Sequence, residues 1–124
     1  MLRSGIDIVE VKRIKGAVDR HGERFLRRVF RPAELSLCRE RSNPWPCLAV
    51  RWAAKEAVLK ALGVGLGKAP LTDIEIGKDS RGRPHVELSG VLLRLMEEEG
   101  ITGIEISLSH EKELAVALAV AFLP

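Results

Sequence analysis

The segment CLAVRWAAKEAVLKAL, residues 47–62, is the central element of the chain and predicts its architecture. At 100° per residue its apolar side chains point in almost every direction, which is typical of a helix buried inside a protein. Gly63 follows the segment and predicts the end of the helix, because glycine readily adopts the left-handed conformation of a C-cap. We therefore expect the other elements to pack around one central helix.

Four charged residues interrupt this helix and form two stripes. Arg51 and Lys55 lie on one stripe. Glu56 and Lys60 lie on the other, about 140° away, in the favoured order for a helical ion pair worth roughly a few tenths of a kcal/mol. A buried helix with two charged stripes needs two polar surroundings, and a single solvent face supplies only one. We therefore expect the second stripe to face a cleft or a partner subunit.

Another unusual charge lies in SGIDIVE, residues 4–10. The apolar residues around Asp7 predict a half-buried strand, where an aspartate is disfavoured and a buried carboxylate is costly unless it is paired. Asp7 and Glu56 together could hold a magnesium ion, which prefers oxygen ligands and often combines one or two carboxylates with substrate phosphates. Lys60, one helical turn after Glu56, would then lie near the same phosphates.

The rest of the chain alternates between short helices and strands. We expect helices over residues 11–21 and 32–41 and a helix capped by Ser89 that ends at Gly100, with strands over residues 72–76, 85–88, 104–110 and 114–122. The last two strands form a hairpin. This order of a strand, then helices, then mostly antiparallel strands predicts a single α+β domain spanning residues 1–124.

The composition is that of a soluble globular protein, with 46% apolar and 30% charged residues. No apolar run is long enough to cross a bilayer, and the N-terminal MLRSG lacks the apolar core of a secretory signal, so we expect a cytoplasmic location. Cys38 and Cys47 are the only cysteines and do not form a CxxC pair. We expect two buried or half-buried thiols, because a zinc site needs more ligands at closer spacing.

Basic residues are concentrated between Lys12 and Arg31, where eight lysines and arginines stand against two acidic residues. Such a segment predicts either a docking surface for an acidic partner or a solvated helix face. A nucleic-acid-binding module is an alternative, although stacking on bases requires exposed aromatic residues and the chain has three Phe, two Trp and no Tyr. A purely structural oligomeric subunit, with Glu56 and Lys60 paired at an interface, is a third interpretation.

Two further motifs look like binding sites but have plainer interpretations. GVGLGK, residues 63–68, has glycines like those of a phosphate loop, yet it follows a helix, where the exposed groups are carbonyls rather than N–H donors. We interpret Gly63 as a helix cap and the rest as a flexible wall of a site. His110 shares a strand face with the apolar residues of the strand 104–110, so its spacing alone indicates an edge-of-core residue.

Four segments together resemble one known family. They are GIDIVEVKRI (residues 5–14), RWAAKEAVLKALGVGLG (51–67), DIEI with DSRGRP (73–76 and 79–84) and SLSHEKELAVALAV (107–120). In this order they are similar to the holo-[acyl-carrier-protein] synthases, the small bacterial-type branch of the 4′-phosphopantetheinyl transferase superfamily. The resemblance covers essentially the whole chain, and its specificity comes from the combination of motifs. The chain departs from the family pattern in PCLAVR (46–51), where family members carry an acidic–aromatic pair and the sequence L-A-G-R.

The resemblance implies a compact α+β fold of the 4′-phosphopantetheinyl transferase type, with a mostly antiparallel sheet packed around the long central helix. It implies a homotrimer with active sites at subunit boundaries. It also implies a cytoplasmic enzyme of fatty acid biosynthesis that transfers 4′-phosphopantetheine from coenzyme A to a serine of apo acyl carrier protein. The reaction would depend on magnesium and release adenosine 3′,5′-bisphosphate. Nucleic acids and membranes are not expected as partners.

The resemblance also implies roles for individual residues. Asp7 and Glu56 match the metal-binding carboxylates, and Lys60 matches a lysine near the pyrophosphate, so these three form the expected catalytic set. We favour Glu56 over Asp7 as the base that takes the proton of the serine. The expected coenzyme A site comprises Lys60, His110, Arg51, Gly63 and Gly65. The expected surface for the acidic carrier protein includes Arg13, Arg20 and Arg24.

Overall fold

The computed structural model describes all 124 residues and has an α+β order of elements. The strands are β1 (Leu2–Glu10), β2 (Ile74–Lys78), β3 (Pro84–Leu88), β4 (Gly103–His110) and β5 (Leu114–Phe122). The helices are α1 (Val11–His21), α2 (Glu23–Val29), α3 (Pro32–Arg39), α4 (Trp45–Leu62) and α5 (Gly90–Glu98), and a 3₁₀ turn covers Leu71–Asp73. None of the helices combines the length and the apolar composition that crossing a bilayer would require.

Strands β1, β5 and β4 form an antiparallel sheet, and β2 and β3 form a separate antiparallel hairpin. In the larger sheet β5 lies in the middle, so that Asp7 of β1 and Leu108 of β4 are both opposite Ala117. Because side chains alternate between the faces of a strand, β5 presents a row of four buried alanines to the inner face, at positions 115, 117, 119 and 121. These small side chains leave room for a helix against the sheet.

Helix α4 packs on the inner face of this sheet and is the centre of the fold. It contacts β1, β5 and β4 on one side and α1, α3 and β2 on others. Thirteen of its eighteen residues are buried, and it ends at Gly63, whose backbone has the left-handed φ of 73°. The predictions of a central buried helix, of its C-terminus and of the α+β class are therefore confirmed.

The two charged stripes of α4 have different surroundings. Lys55 is fully buried, and its ammonium group lies 2.7 Å from the buried carboxylate of Glu34 in α3. The stripe that holds Lys55 therefore meets a buried carboxylate of the same chain, a surrounding that the prediction of one solvent face and one cleft or partner subunit did not include. The stripe of Glu56 and Lys60 points instead toward β1, where the candidate site is located.

The two cysteines form a disulfide bond that joins the end of α3 to the start of α4. Cys38 and Cys47 are both buried, as expected, but the expectation of two thiols is wrong. The connection between the helices turns back on itself and brings the two Cα atoms to 5.5 Å, which is within the range for a disulfide. Arg51 donates hydrogen bonds to the backbone oxygen and to Sγ of Cys47, each over 3.2 Å.

One predicted strand boundary and one predicted helix cap differ from the structure for identifiable reasons. Strand β2 begins at Ile74 rather than at residue 72, because Leu71–Asp73 form the 3₁₀ turn. Ser89 precedes α5, as expected, but its side chain does not cap the helix. The carboxylate of Asp73 accepts hydrogen bonds from two N–H groups of the first turn of α5, over 2.9 Å and 3.4 Å. A side chain from another element thus satisfies the free donors of the helix end.

Candidate active site

Gly5 marks the point where β1 crosses α4. A Cβ atom at this position would lie 2.2 Å from the carbonyl oxygen of Ala57 and 2.7 Å from the backbone nitrogen of Ala61. Both distances are far inside van der Waals contact, so only glycine allows the strand and the helix to approach this closely. Asp7, two residues later, points to the same face of β1 as Gly5 and is thereby brought to the C-terminal half of α4.

Lys60 links Asp7 to α4. Its ammonium group donates to the backbone oxygen of Ile6 over 2.8 Å and to Oδ1 of Asp7 over 3.2 Å. The side chain of Lys60 is 53% exposed and that of Asp7 is 18% exposed, so the pair stands at the surface of the site rather than in the core. Glu56 precedes Lys60 by one helical turn. The structure therefore brings Asp7, Glu56 and Lys60 together, and their roles remain predictions.

Glu56 is held in an environment that disfavours its charge. Burial, and then the charge of Asp7, raise the pKa of the Glu56 carboxyl, while Lys60 and Arg13 offset part of the rise. The Oε1 atom of Glu56 is buried and has no hydrogen-bond partner. Because an unsatisfied buried oxygen is costly, this atom is suited to accept a proton or to bind a cation.

The oxygen donors of this cluster fit magnesium. Asp7 and Glu56 supply two carboxylates, and nowhere in the chain are three or more histidine, cysteine, aspartate or glutamate side chains arranged so that they could hold a metal ion. Zinc sites use three or four protein ligands, whereas magnesium is commonly held by one or two carboxylates, with water and substrate phosphates as the other ligands. The free Oε1 atom of Glu56 is the observation that favours a cation at this position.

Gly63 and Gly65 follow the same end of α4. The N–H group of Gly63 bonds to the carbonyl of Lys60, so the helix cap is adjacent to the carboxylate cluster. A side chain at Gly63 would be strained, because its φ is 73°. Residues 64–70 then lead to the 3₁₀ turn without regular structure. Both glycines follow the end of α4 that carries Lys60, and their role as a wall of the site remains a prediction.

His110 and Arg51 lie elsewhere in the chain. His110 ends β4 and is opposite Ala115, which in turn is opposite Val9 of β1. Two strand spacings, about 10 Å, therefore separate His110 from β1. Arg51 is buried on α4, five residues before Glu56 and about 140° around the helix. A single chain does not bring either residue to the two carboxylates.

The basic surface begins beside the carboxylate cluster. Arg13 lies in the first turn of α1, is exposed, and is close enough to Glu56 to lower its pKa. Arg20 is exposed seven residues later and shares a face of α1 with Arg13, since seven residues are about two helical turns. Arg24 is exposed at the start of α2. The positive surface of α1 and α2 therefore leads directly to the candidate site.

The sequence patterns did not predict the apolar groove that lies next to this surface. We call it the α2 groove; it has a volume of about 640 Å³. The rings of Phe25 and Trp52 stack inside it with centroids 5.9 Å apart. Leu66, which is exposed, and Leu71 line it from the connection after α4, together with Arg28 from α2. The signal in the sequence was Trp52, a large aromatic residue that follows directly after Arg51 on a helix otherwise rich in small residues.

A family model described as the 4′-phosphopantetheinyl transferase superfamily matches residues 3–119. The chain belongs to this superfamily. Among its curated relatives, the holo-[acyl-carrier-protein] synthase of Halothermothrix orenii is 47% identical over 94% of this chain and 93% of the relative. The holo-[acyl-carrier-protein] synthase of Moorella thermoacetica is 48% identical over 97% of this chain and 93% of the relative.

Solved structures of the superfamily share the fold. The holo-[acyl-carrier-protein] synthase of Neisseria meningitidis has a TM-score of 0.88, with 36% identity over 97% of both chains. The Helicobacter pylori enzyme, solved in complex with coenzyme A, has a TM-score of 0.84, with 36% identity over 96% of this chain and 99% of that one. The predicted family, fold class and enzyme class, a phosphopantetheinyl transferase, are therefore confirmed.

The close crossing of β1 and α4 can be tested by adding a methyl group to Gly5. We expect Gly5→Ala to destabilise the protein by about 1–3 kcal/mol in urea unfolding, because the added Cβ forces the strand away from the helix. Gly77→Ala is the matched control, since an added Cβ at this strand glycine meets nothing within 4 Å. Equal stability of the two variants would contradict the crossing.

The raised pKa of Glu56 predicts a pH-dependent gain in stability for Glu56→Gln. The folded state binds the proton of Glu56 more tightly than the unfolded state does. The charged carboxylate therefore opposes folding once the pH exceeds the ordinary glutamate pKa of about 4.3. We expect the variant to melt at a higher temperature than the parent at pH 7, with the difference disappearing below about pH 4. A difference in melting temperature that does not depend on pH, or a less stable variant at pH 7, would contradict this account of Glu56.

Proposed function

We propose that this phosphopantetheinyl transferase moves 4′-phosphopantetheine from coenzyme A to a serine of apo acyl carrier protein, with magnesium, and releases adenosine 3′,5′-bisphosphate. The single observation that supports this most is the meeting of Asp7, Glu56 and Lys60 between β1 and α4. The names of the curated relatives state action on the acyl carrier protein, and the Helicobacter pylori relative was solved with coenzyme A. We place the reaction in fatty acid biosynthesis, in the cytoplasm.

The transfer exchanges one P–O bond for another. The serine oxygen attacks the β-phosphorus of coenzyme A, and the bond to the bridging oxygen breaks, so that adenosine 3′,5′-bisphosphate leaves with that oxygen. Charge on the phosphoryl oxygens can be stabilised by Lys60, whose ammonium group makes only two hydrogen bonds and has a third proton to donate. A magnesium ion, held by Asp7 and Glu56, would supply further neutralisation of the pyrophosphate.

The serine must lose its proton as it attacks. Glu56 is the better candidate for the base, because its buried Oε1 atom has no hydrogen-bond partner and is free to accept the proton. Oδ1 of Asp7, in contrast, already accepts a hydrogen bond from Lys60. A carboxylate has two oxygens, so that Glu56 can contribute one to a cation and accept the proton on the other.

The carrier protein is proposed to bind along α1 and α2. Arg13, Arg20 and Arg24 provide an exposed positive surface, and the α2 groove provides an apolar recess beside it. Charges around an apolar groove suit an acidic helix with a few apolar side chains, because the charges guide the approach and apolar burial supplies affinity. The proximity of Arg13 to Glu56 would bring the end of such a partner to the carboxylates.

We propose a homotrimer that forms through the outer face of the larger sheet. Six large apolar side chains on this face are between 37% and 63% exposed: Leu2, Ile6, Ile8, Leu114, Leu118 and Phe122. The register places Leu2 opposite Phe122 and Ile6 opposite Leu118, so they form one continuous patch. Contiguous apolar surface of this kind is typical of an interface. In such an assembly we assign His110 to the coenzyme A site of a neighbouring subunit, since about 10 Å separate it from β1 of its own chain.

The proposed reaction is tested by incubating the protein with coenzyme A, magnesium and apo acyl carrier protein, followed by intact mass measurement of the carrier protein. We expect the carrier protein to gain one 4′-phosphopantetheine group. Glu56→Gln should slow the gain by about 100-fold or more, since a general base contributes at least that much. Glu97→Gln, which removes an exposed carboxylate on α5, should act like the parent. No mass gain with any carrier protein would exclude the proposed function.

The shared site is tested by mixing two inactive variants, Glu56→Gln and His110→Ala. If each site takes Glu56 from one subunit and His110 from a neighbour, trimers reassembled from an equal mixture should regain about a quarter of the parental activity. Each variant reassembled alone should stay inactive. Absence of recovery in confirmed mixed trimers, or a monomeric parent in sedimentation, would contradict the shared site.

A further inference from the structure

We infer that Lys55 is a positioning residue for the carrier-protein surface, with Glu34 as its buried counter-charge. In this role, which rests on the proposed function, Lys55 fixes the walls of the α2 groove relative to one another. It does not touch the reacting groups, because its side chain is fully buried and lies on the other charged stripe of α4. Lys55 thus influences carrier-protein binding by fixing the backbone segments to which it donates hydrogen bonds.

The ammonium group of Lys55 joins three separate parts of the chain. It donates to the carbonyl of Val29, at the end of α2, over 2.5 Å and to the carbonyl of Leu71, at the start of the 3₁₀ turn, over 3.2 Å. Its third bond goes to Oε1 of Glu34 in α3, over 2.7 Å. An ammonium group has three protons, and all three are therefore used.

These contacts coincide with the walls of the α2 groove. Val29 and Leu71 both line it, Val29 from the α2 side and Leu71 from the connection after α4. Trp52, three residues before Lys55 on the same side of α4, forms the surface between them. One buried cation therefore holds each element that contributes to the groove: α2, α4 and the connection that ends at Leu71.

The connection needs such an anchor more than the helices do. Residues 63–70 contain three glycines and no regular structure, so their own backbone does little to fix the position of exposed Leu66. Directly after this stretch, the backbone carbonyl of Leu71 accepts a hydrogen bond from Lys55 of α4. Loss of the bond from Lys55 would release one wall of the groove.

Glu34 offsets the cost of burying the Lys55 ammonium group and adds two backbone segments to the hydrogen-bond network of Lys55. Burial lowers the pKa of Lys55, and the charge of Glu34 opposes this effect. The Glu34 carboxylate also accepts from the N–H group of Arg31 over 2.8 Å and from that of Ile76 over 3.0 Å. Through these bonds Glu34 holds both the backbone between α2 and α3 and the backbone of β2. The ion pair therefore fixes the positions of these segments in addition to the attraction between its two charges.

The test compares steady-state kinetics of the parent with the double variant Glu34→Leu/Lys55→Met. Lys55→Met alone leaves a buried unpaired carboxylate and is unsuitable, whereas the double variant removes both charges. We expect the KM for apo acyl carrier protein to rise about 10-fold or more, because the groove walls are no longer held together. We expect kcat and the Kd for coenzyme A with magnesium, measured by calorimetry, to stay within about twofold of the parent, since these depend on the other stripe of α4.

Two further variants separate positioning from general loss of stability. Leu92→Ala opens a cavity under α5, away from the groove, and should lower the melting temperature without changing the KM. Glu34→Asp keeps the counter-charge of Lys55 but shortens the side chain by one methylene, and should give a KM between those of the parent and the double variant. An unchanged KM in both Glu34 variants, or an equal rise in Leu92→Ala, would overturn the role of Lys55. An inactive parent would overturn the proposed function instead.

Discussion

The contact between Gly5 and α4 is the constraint on which the candidate site depends. An aspartate in the first strand can reach a glutamate in the middle of the chain only if the strand and helix backbones nearly touch. The missing side chain at Gly5 permits this approach at one edge of the sheet. The alanine row of β5 keeps the helix close along its length. Small side chains on the sheet therefore determine where the functional side chains meet.

The charged residues of α4 lie in two different surroundings on separate sides of the helix. Lys55 faces inward, where Glu34 and two backbone carbonyls satisfy it completely. Glu56 faces β1, where Oε1 remains without a partner and neighbouring Asp7 adds repulsion. A fold optimised for stability alone would not keep two carboxylates so close. The two neighbouring carboxylates are therefore the candidate functional feature, and the pair of Lys55 and Glu34 is part of the buried structure that supports the fold.

Much of the fold was predictable from local patterns. The apolar composition of residues 47–62, the glycine after them and the alternation in the last two strands predicted the central helix and the hairpin, because these signals depend on near neighbours in sequence. Asp7 and Glu56 were each recognisable as charges in apolar surroundings. Their meeting could not be derived from spacing, since it depends on a strand register and a crossing point between segments about fifty residues apart.

The features that the sequence did not reveal are those created by long-range packing. The disulfide depends on the turn between α3 and α4, and the partner of Lys55 comes from a helix that no local pattern connects to it. The α2 groove is formed by three separate segments, so no single motif marks it. The separation between His110 and the carboxylates also required the order of strands, with β5 in the middle.

The most direct measurement is an anomalous difference map at the manganese edge, from crystals grown with coenzyme A and Mn²⁺ in place of magnesium. Manganese takes the same oxygen ligands as magnesium and scatters anomalously. The account predicts one peak per chain with oxygens of both Asp7 and Glu56 about 2.0–2.3 Å away. A peak bound by only one of these carboxylates, or no peak beside a bound coenzyme A, would contradict it.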